Sequence, residues 1–165
     1  MSAPVIGKLG VSMDLSMHRV IEKLIQWSVP FLNVFRRPPV WPFSFDDLKG
    51  MDENTLGFNL YVFLNSRGFN YLPKYEVHDA YHTLLGYGTT SIEELKLQAF
   101  MWGNNNSTFA GRVLFIIGLI LFPTKYKLFK VEIIRGKKSK KLKGYDVIEM
   151  INKPLLQLRE ELCIS

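Results

Sequence analysis

The stretch that decides the fold is EVHDAYHTLLGYGTTSIEEL, residues 76–95. It predicts a helix, a turn and the start of a second helix, because Gly86 suits the left-handed conformation in which many helices end. His78 and His82 are about one helical turn apart, so their imidazoles project from the same face. The chain then reverses and returns Glu94 in the first turn of the second helix. The segment therefore predicts a helical hairpin that brings a carboxylate toward two histidines.

Four residues of this hairpin are candidate metal ligands: His78, Asp79, His82 and Glu94. Asp79 lies three residues before His82, so it is placed as a ligand at the margin or as a partner that orients an imidazole. Two histidines with one or two carboxylates suit zinc or ferrous iron and leave a position open for water or substrate. Without a metal, Ser91 is the N-cap of the second helix and Glu94 completes an S-x-x-E capping box. The spacing alone leaves both interpretations open.

Helical patterns recur along the chain, which has no internal repeat. Apolar residues three and four positions apart predict an amphipathic helix over residues 14–35. Further helices are predicted over four shorter segments, 46–50, 55–64, 93–102 and 154–162. Between residues 130 and 146, Gly136 and a lysine-rich turn separate two apolar runs and predict a small β-hairpin. We therefore predict a mainly α fold, a compact multi-helix single domain over residues 1–165.

Composition supports one domain. The chain has 165 residues, of which 47% are hydrophobic, and this is enough to bury a core. Cys163 is the only cysteine, which excludes a disulfide framework and a cysteine zinc site. Residues 1–10 have neither the apolar run of a secretory signal nor the Arg- and Ser-rich pattern of a mitochondrial presequence. We therefore expect a cytoplasmic protein.

An apolar run and a basic run follow each other in the second half of the chain. Residues 113–122 are ten consecutive apolar residues, whereas a membrane span needs about 20. The run is therefore interpreted either as a central helix buried in the domain or as a surface that receives an isoprenoid tail, lining a tunnel or dipping into a membrane.

The basic run holds nine cationic residues and one acid, Glu132, within residues 125–143. Its lysines form either a solvated loop or a docking site for anionic lipid, where each lysine near the surface contributes about 1 kcal/mol. The lysines proposed to contact the membrane are Lys137, Lys138, Lys140 and Lys141. Because the chain carries no recognised nucleic-acid motif, we expect no nucleic-acid partner.

The hairpin resembles a known family. Residues 75–86 together with Glu94 are similar to the H-D-x-x-H-x11-E signature of the coenzyme Q biosynthesis protein four family. Residues 54–64 resemble the segment that precedes the signature in that family, residues 111–123 the apolar helix and proline that follow it, and residues 158–162 the family's C-terminal ending. The resemblance spans roughly residues 50 to 165.

This resemblance implies a mostly helical protein at a membrane surface that binds zinc or iron through His78, Asp79, His82 and Glu94. The implied reaction is oxidative removal of the carboxyl group at ring carbon one of a polyprenylated 4-hydroxybenzoate derivative, with hydroxylation at that carbon. The implied partners are an isoprenoid quinone-precursor lipid and other quinone-biosynthesis proteins. A homo-oligomer is a further expectation.

Two other functions remain open. The first is a noncatalytic isoprenoid-lipid carrier or scaffold in which the metal ties two helices together. The second is a metal phosphohydrolase of the His-Asp type, since the doublet His78-Asp79 is that superfamily's hallmark. Such an enzyme needs an additional upstream histidine and a distant downstream aspartate, and His18 and Asp146 are the candidates.

Overall fold

The computed structural model describes residues 40–68 and 75–164. These residues form eight α-helices and no β-sheet, which confirms the mainly α fold. The helices are, in chain order, α1 (Phe45–Lys49), α2 (Leu56–Asn65), α3 (Glu76–Leu85), α4 (Ser91–Asn104), α5 (Phe109–Leu121), α6 (Tyr126–Lys138), α7 (Val147–Met150) and α8 (Leu155–Glu161). Short 3-10 turns occupy Pro123–Lys125 and Leu142–Gly144. The helix predicted over residues 14–35 lies outside the described ranges.

The helices begin and end where the local sequence favours it. Thr55, Thr90 and Thr108 are N-caps whose side-chain oxygens each accept a hydrogen bond from the amide three residues later. Gly86 and Asn105 end α3 and α4 in the left-handed conformation, with φ of 78° and 61°. The predicted stop at Gly86 is therefore confirmed.

The predicted β-hairpin is wrong, because residues 126–138 are the continuous helix α6. Gly136 is a contact point between helices rather than a turn residue. A Cβ atom at Gly136 would overlap the carbonyl oxygen of Phe100 on α4, and one at Gly103 would overlap the carbonyl oxygen of Ile133 on α6. The two glycines thus let the backbones of α4 and α6 touch.

α4 is shared by the two hydrophobic clusters of the described core. The larger cluster packs α4 against the first helices and the C-terminal ones, and Phe100 belongs to it. The smaller cluster lies among α4, α5 and α6 and consists of Leu95, Ala99, Phe115, Phe122 and Phe129. Because both clusters bury residues of α4, the helix that carries Glu94 is held from two sides.

α5 is buried along one side only. Its buried residues are Gly111, Phe115 and Gly118, whereas Phe109 and Ile120 are 84% and 72% exposed. The run interpreted as a central helix buried in the domain is therefore buried on one face, and its outer face is exposed. Within the described part of the chain no single helix is long and apolar enough to cross a membrane, although α5 and the segment Pro123–Lys138, bent by 104°, meet that length and composition as a pair.

Candidate metal centre

α3 and α4, two consecutive helices joined by a short turn, carry the predicted ligands. α3 carries His78 and His82, and α4 begins after the short turn that follows Gly86. The capping box predicted for Ser91 and Glu94 is wrong, since the N-cap is Thr90, whose hydroxyl accepts from the amide of Glu93. The carboxylate of Glu94 is therefore not used to cap α4 and points to the histidines instead.

Three atoms from these helices form a nearly regular triangle. His82 Nε2 lies 3.0 Å from Glu94 Oε2 and 3.1 Å from His78 Nε2, and His78 Nε2 lies 3.2 Å from Glu94 Oε2. This is the one group of at least three potential ligands that could hold a single ion within the described residues. Hydrogen bonds alone satisfy such a triangle poorly, because two Nε2–H groups aimed at one oxygen would confront each other across 3.1 Å.

The size of the triangle fits a small divalent ion. For ligand distances of about 2.0–2.1 Å, tetrahedral zinc places its ligand atoms about 3.3 Å apart. A facial arrangement around octahedral iron places them about 3.0 Å apart. The observed separations of 3.0–3.2 Å lie between these values. The residues present therefore fit either ion, and in both cases three protein atoms leave at least one coordination position open.

The site is largely buried and its carboxylate is strongly favoured in the charged form. The side chains of His82, Glu94 and His78 are 4%, 13% and 23% exposed. Burial acts to raise the pKa of Glu94, but the charges and hydrogen bonds of the two histidines outweigh it and hold that pKa well below its usual range. A carboxylate ionised at neutral pH beside two imidazole nitrogens is a ready cation ligand.

Gln98 holds the second carboxylate oxygen of Glu94, Oε1, in place. The sequence alone did not single out this residue. Its Nε2 donates to Glu94 Oε1 at 2.7 Å, and a Cβ atom at Gly111 of α5 would overlap Gln98 Oε1. Gln98 is thus held between α4 and α5 while it leaves Glu94 Oε2 directed at the histidines. The available signal was its spacing, four residues after Glu94 on a helix.

Asp79 is not part of the triangle. It is half-buried on α3, and burial raises its pKa to about 6, with the nearby His78 and His82 partly opposing the shift. Its predicted role as a weaker ligand or an orienting partner stays a prediction.

Aromatic rings surround the histidines. Phe63 of α2 stacks on His82, with ring centroids 5.9 Å apart and an angle of 22° between the planes. Tyr75 meets His78 edge to face at 6.2 Å. His82 Nδ1 is buried and has no hydrogen-bond partner in the described ranges. The orientation of the His82 ring therefore depends on packing more than on a polar contact of its outer nitrogen.

Asp146 and the lysines of the basic run are not part of the triangle. Asp146 is exposed, and its Oδ1 accepts from the amide of Ile148 at the start of α7. His18 lies outside the described residues. The four lysines proposed to contact a membrane are exposed on α6 and after it: Lys137, Lys138, Lys140 and Lys141. Their membrane contact stays a prediction.

Comparison with known proteins identifies the fold. A crystal structure at 2.85 Å of a protein from Nostoc punctiforme PCC 73102, provisionally named as a ubiquinone biosynthesis protein, aligns with a TM-score of 0.63 and 24% identity. The alignment covers 93% of this chain and 82% of that one. The chain matches no protein-family profile and no curated protein sequence. At this identity the similarity shows a shared fold.

Proposed function

We propose that this chain is a metal-dependent protein of ubiquinone or related quinone biosynthesis that acts on a polyprenylated benzoate-type precursor. The observation that carries the proposal is the triangle of His78 Nε2, His82 Nε2 and Glu94 Oε2, with sides of 3.0–3.2 Å. The shared fold with a protein named for ubiquinone biosynthesis supports the pathway.

The proposed reaction is an oxidative decarboxylation. The bond between ring carbon one and the carboxyl group breaks, the carboxyl leaves as CO₂, and a hydroxyl takes its place. Dioxygen supplies the hydroxyl oxygen, and two electrons and two protons from a reductant convert its other atom to water. A bound zinc or iron ion supplies a positive charge that polarises a substrate carboxylate. His78, His82 and Glu94 would hold the ion, and Phe63 would shield the His82 side of the site from water.

Elemental analysis of the purified protein tests the metal site. We expect about one equivalent of zinc or iron in the wild type, and its loss in His82→Ala and in the more conservative Glu94→Gln. His18→Ala is the matched control, since His18 is the one histidine outside the motif, and it should keep the metal. Loss of metal in His18→Ala as well would favour the phosphohydrolase-type site. No metal in the wild type, after anaerobic reconstitution with zinc and iron, would overturn the proposal.

A turnover assay separates catalysis from lipid carriage. A prenylated 4-hydroxybenzoate with a labelled carboxyl group, supplied with dioxygen and a reductant, should release labelled CO₂ with the metal-loaded wild type and not with Glu94→Gln. A loaded protein that releases no CO₂, but from which organic solvent extracts an isoprenoid lipid, would replace the enzyme by the noncatalytic carrier.

We further propose that the outer faces of α5 and α6 dock on an anionic membrane surface. One apolar stripe runs along the outer face of α5, because its exposed residues recur at helical spacing. They are Phe109, Val113, Ile116 and Ile120. The outer face of α6 carries the exposed apolar residues Leu128, Val131 and Ile134 together with exposed lysines. Apolar residues flanked by lysines are typical of helices that lie in the interface of anionic bilayers. A second copy of the chain is a less suitable partner, because it would oppose like charges.

Sedimentation with lipid vesicles tests this surface. Binding to phosphatidylserine-containing vesicles should exceed binding to neutral phosphatidylcholine vesicles. The double variant Lys137→Gln/Lys138→Gln should lose about 2 kcal/mol of binding free energy, at about 1 kcal/mol per lysine. The control Lys49→Gln/Lys153→Gln removes two exposed lysines from other parts of the surface and should bind almost as the wild type. Equal losses in both double variants would contradict the assignment of the face, and a concentration-dependent dimer without vesicle binding would favour a second copy.

A further inference from the structure

The C-terminal end of α3 is capped by two arginines from distant parts of the chain. Arg159 Nη2 donates to the carbonyl oxygen of Thr83 at 3.0 Å, and its Nε donates to that of Leu84 at 2.9 Å. Arg135 Nη2 donates to the carbonyl oxygen of Leu85 at 3.0 Å. The last carbonyls of a helix have no amide partner within it. The arginine pair, Arg135 and Arg159, therefore completes the hydrogen bonding at the end of the helix that carries both histidines.

Arg135 is itself fixed in place. Its Nη1 donates to the hydroxyl of Tyr87 at 2.9 Å, and that hydroxyl donates to Glu132 Oε2 at 2.5 Å. Arg135 and Glu132 also form an ion pair at 3.5 Å, with side chains 20% and 14% exposed. A partly buried guanidinium with partners on three sides cannot turn freely, so it fixes the backbone to which it donates.

Two cations meet at the C-terminal end of α3. Burial and the neighbouring charge of Arg135 both lower the pKa of Arg159, so the two guanidinium groups work against each other electrostatically. One cation of either type would complement the negative end of the helix. A pair of planar guanidinium groups adds directional contacts to three successive carbonyl groups, which a single point charge cannot supply.

The last turn of α3, which the arginine pair caps, begins at His82. The carbonyl oxygen of His82 accepts from the amides of Gly86 and Tyr87, both at 2.9 Å, and it precedes the three carbonyls that the arginine pair binds. A roll of α3 by about 10° would move an imidazole nitrogen by about 1 Å, which is more than a functional site tolerates. We infer that Arg135 and Arg159 are positioning residues of the candidate metal centre, holding α3 at the rotation that brings His78 and His82 to Glu94. This inference rests on the metal-binding part of the proposed function.

Zinc affinity and the visible spectrum of the cobalt-loaded protein test the inference. Arg159→Lys keeps the charge but cannot bind two carbonyls in one plane. We expect its zinc affinity, measured by competition with a chromogenic chelator, to fall at least about tenfold, as when outer partners of a metal site are removed. The cobalt absorption bands, which report ligand geometry, should shift as well. Arg112→Lys is the control, because Arg112 is exposed on α5, and it should match the wild type in both measurements.

The measurements are made well below the unfolding midpoint of each variant, so that a purely structural role can be told apart. A lower unfolding midpoint of Arg159→Lys with unchanged zinc affinity and unchanged cobalt spectrum would overturn the inference while the metal site stands. A wild type that binds neither ion would overturn the proposed function and the inference with it. If Arg159→Lys does not fold, Arg135→Lys decides by the same two readouts.

Discussion

The hydrogen bond between Gln98 and Glu94 offers the sharpest test of how the candidate metal centre is built. Gln98 is 9% exposed, and its Nε2 donates to Glu94 Oε1 at 2.7 Å. Methionine has a similar length but cannot donate, so Gln98→Met leaves a buried carboxylate oxygen without its partner. Hydrogen bonds to charged groups contribute about 1.5–3 kcal/mol. We therefore expect the free energy of unfolding of the metal-free protein to fall by about 2 kcal/mol, measured by urea denaturation.

The chain contains a matched control for this experiment. Gln157 Nε2 donates to Glu161 Oε1, also at 2.7 Å and also four residues apart on a helix, but both side chains are exposed. An exposed helical pair of this kind contributes about 0.2–0.5 kcal/mol. Gln157→Met should therefore leave the unfolding free energy nearly unchanged, so that the difference between the two variants isolates burial and charge.

Metal binding gives the second readout of the same pair of variants. Without Gln98 the carboxylate of Glu94 is free to rotate, and Glu94 Oε2 no longer has a fixed direction toward the histidines. Loss of such an outer partner lowers metal affinity about 10–100-fold, so Gln98→Met should weaken zinc binding in a chelator competition assay, while Gln157→Met should not. Equal unfolding free energies and equal zinc affinities in the two variants would refute the reasoning.

Three further predictions concern packing, pH and the ligand. Gly136→Ala should lower the unfolding midpoint by several degrees in a thermal melt, because its Cβ would push α6 away from the backbone of Phe100. Gly144→Ala, with open space around it, should not, and equal melts would contradict the helix contact. Burial raises the pKa of Asp79 from 3.8 to about 6, so the folded state favours the protonated carboxyl. The stability that this group contributes is complete below pH 3.8 and is lost as the pH rises through 6. Between pH 4 and 7, the unfolding free energy of the metal-free wild type should therefore fall by up to about 3 kcal/mol relative to that of Asp79→Asn. A difference between the two proteins that does not change with pH would contradict this prediction. Zinc at 100 times its dissociation constant should raise the unfolding free energy of the wild type by about 2.7 kcal/mol and that of Glu94→Gln much less. An equal gain in both proteins would place zinc elsewhere.

The consecutive helices α3 and α4 could be predicted because the signals that begin and end them are local. Gly86 ends a helix through its own backbone freedom, and two histidines four residues apart must share a face of any helix. The arrival of Glu94 depends only on a short turn. The N-cap was misplaced by one residue, because Thr90 and Ser91 are both good caps and the sequence does not rank neighbours so similar. That single residue decides whether Glu94 caps the helix or faces the histidines.

The support of the site could not be predicted, because it comes from contacts between residues far apart in the chain. Phe63 reaches His82 from α2, and Arg159 reaches the end of α3 from 75 residues away. The spacing of residues along the chain does not show which arginine binds which carbonyl oxygen, because that depends on how the helices pack. The sequence therefore predicts the candidate metal ligands better than it predicts the residues that hold those ligands in position.

The β-hairpin prediction failed at α6, and the helix found there changes where the lysines of the basic run lie. Its buried face holds Phe129 and Gly136. A glycine on a helix face counts as a break in any hydrophobic pattern, although here it lies directly against the backbone of α4. Val131 and Ile134 are exposed, so two of the β-branched residues in the predicted strand lie on the outer side of a helix, while Ile133 packs against the smaller cluster. Lys127, Lys130, Lys137 and Lys138 are likewise exposed on this helix, whereas Lys140 and Lys141 follow its C-terminal end. The docking on an anionic bilayer proposed above would therefore use helical lysines at fixed spacing, which a loop would not provide.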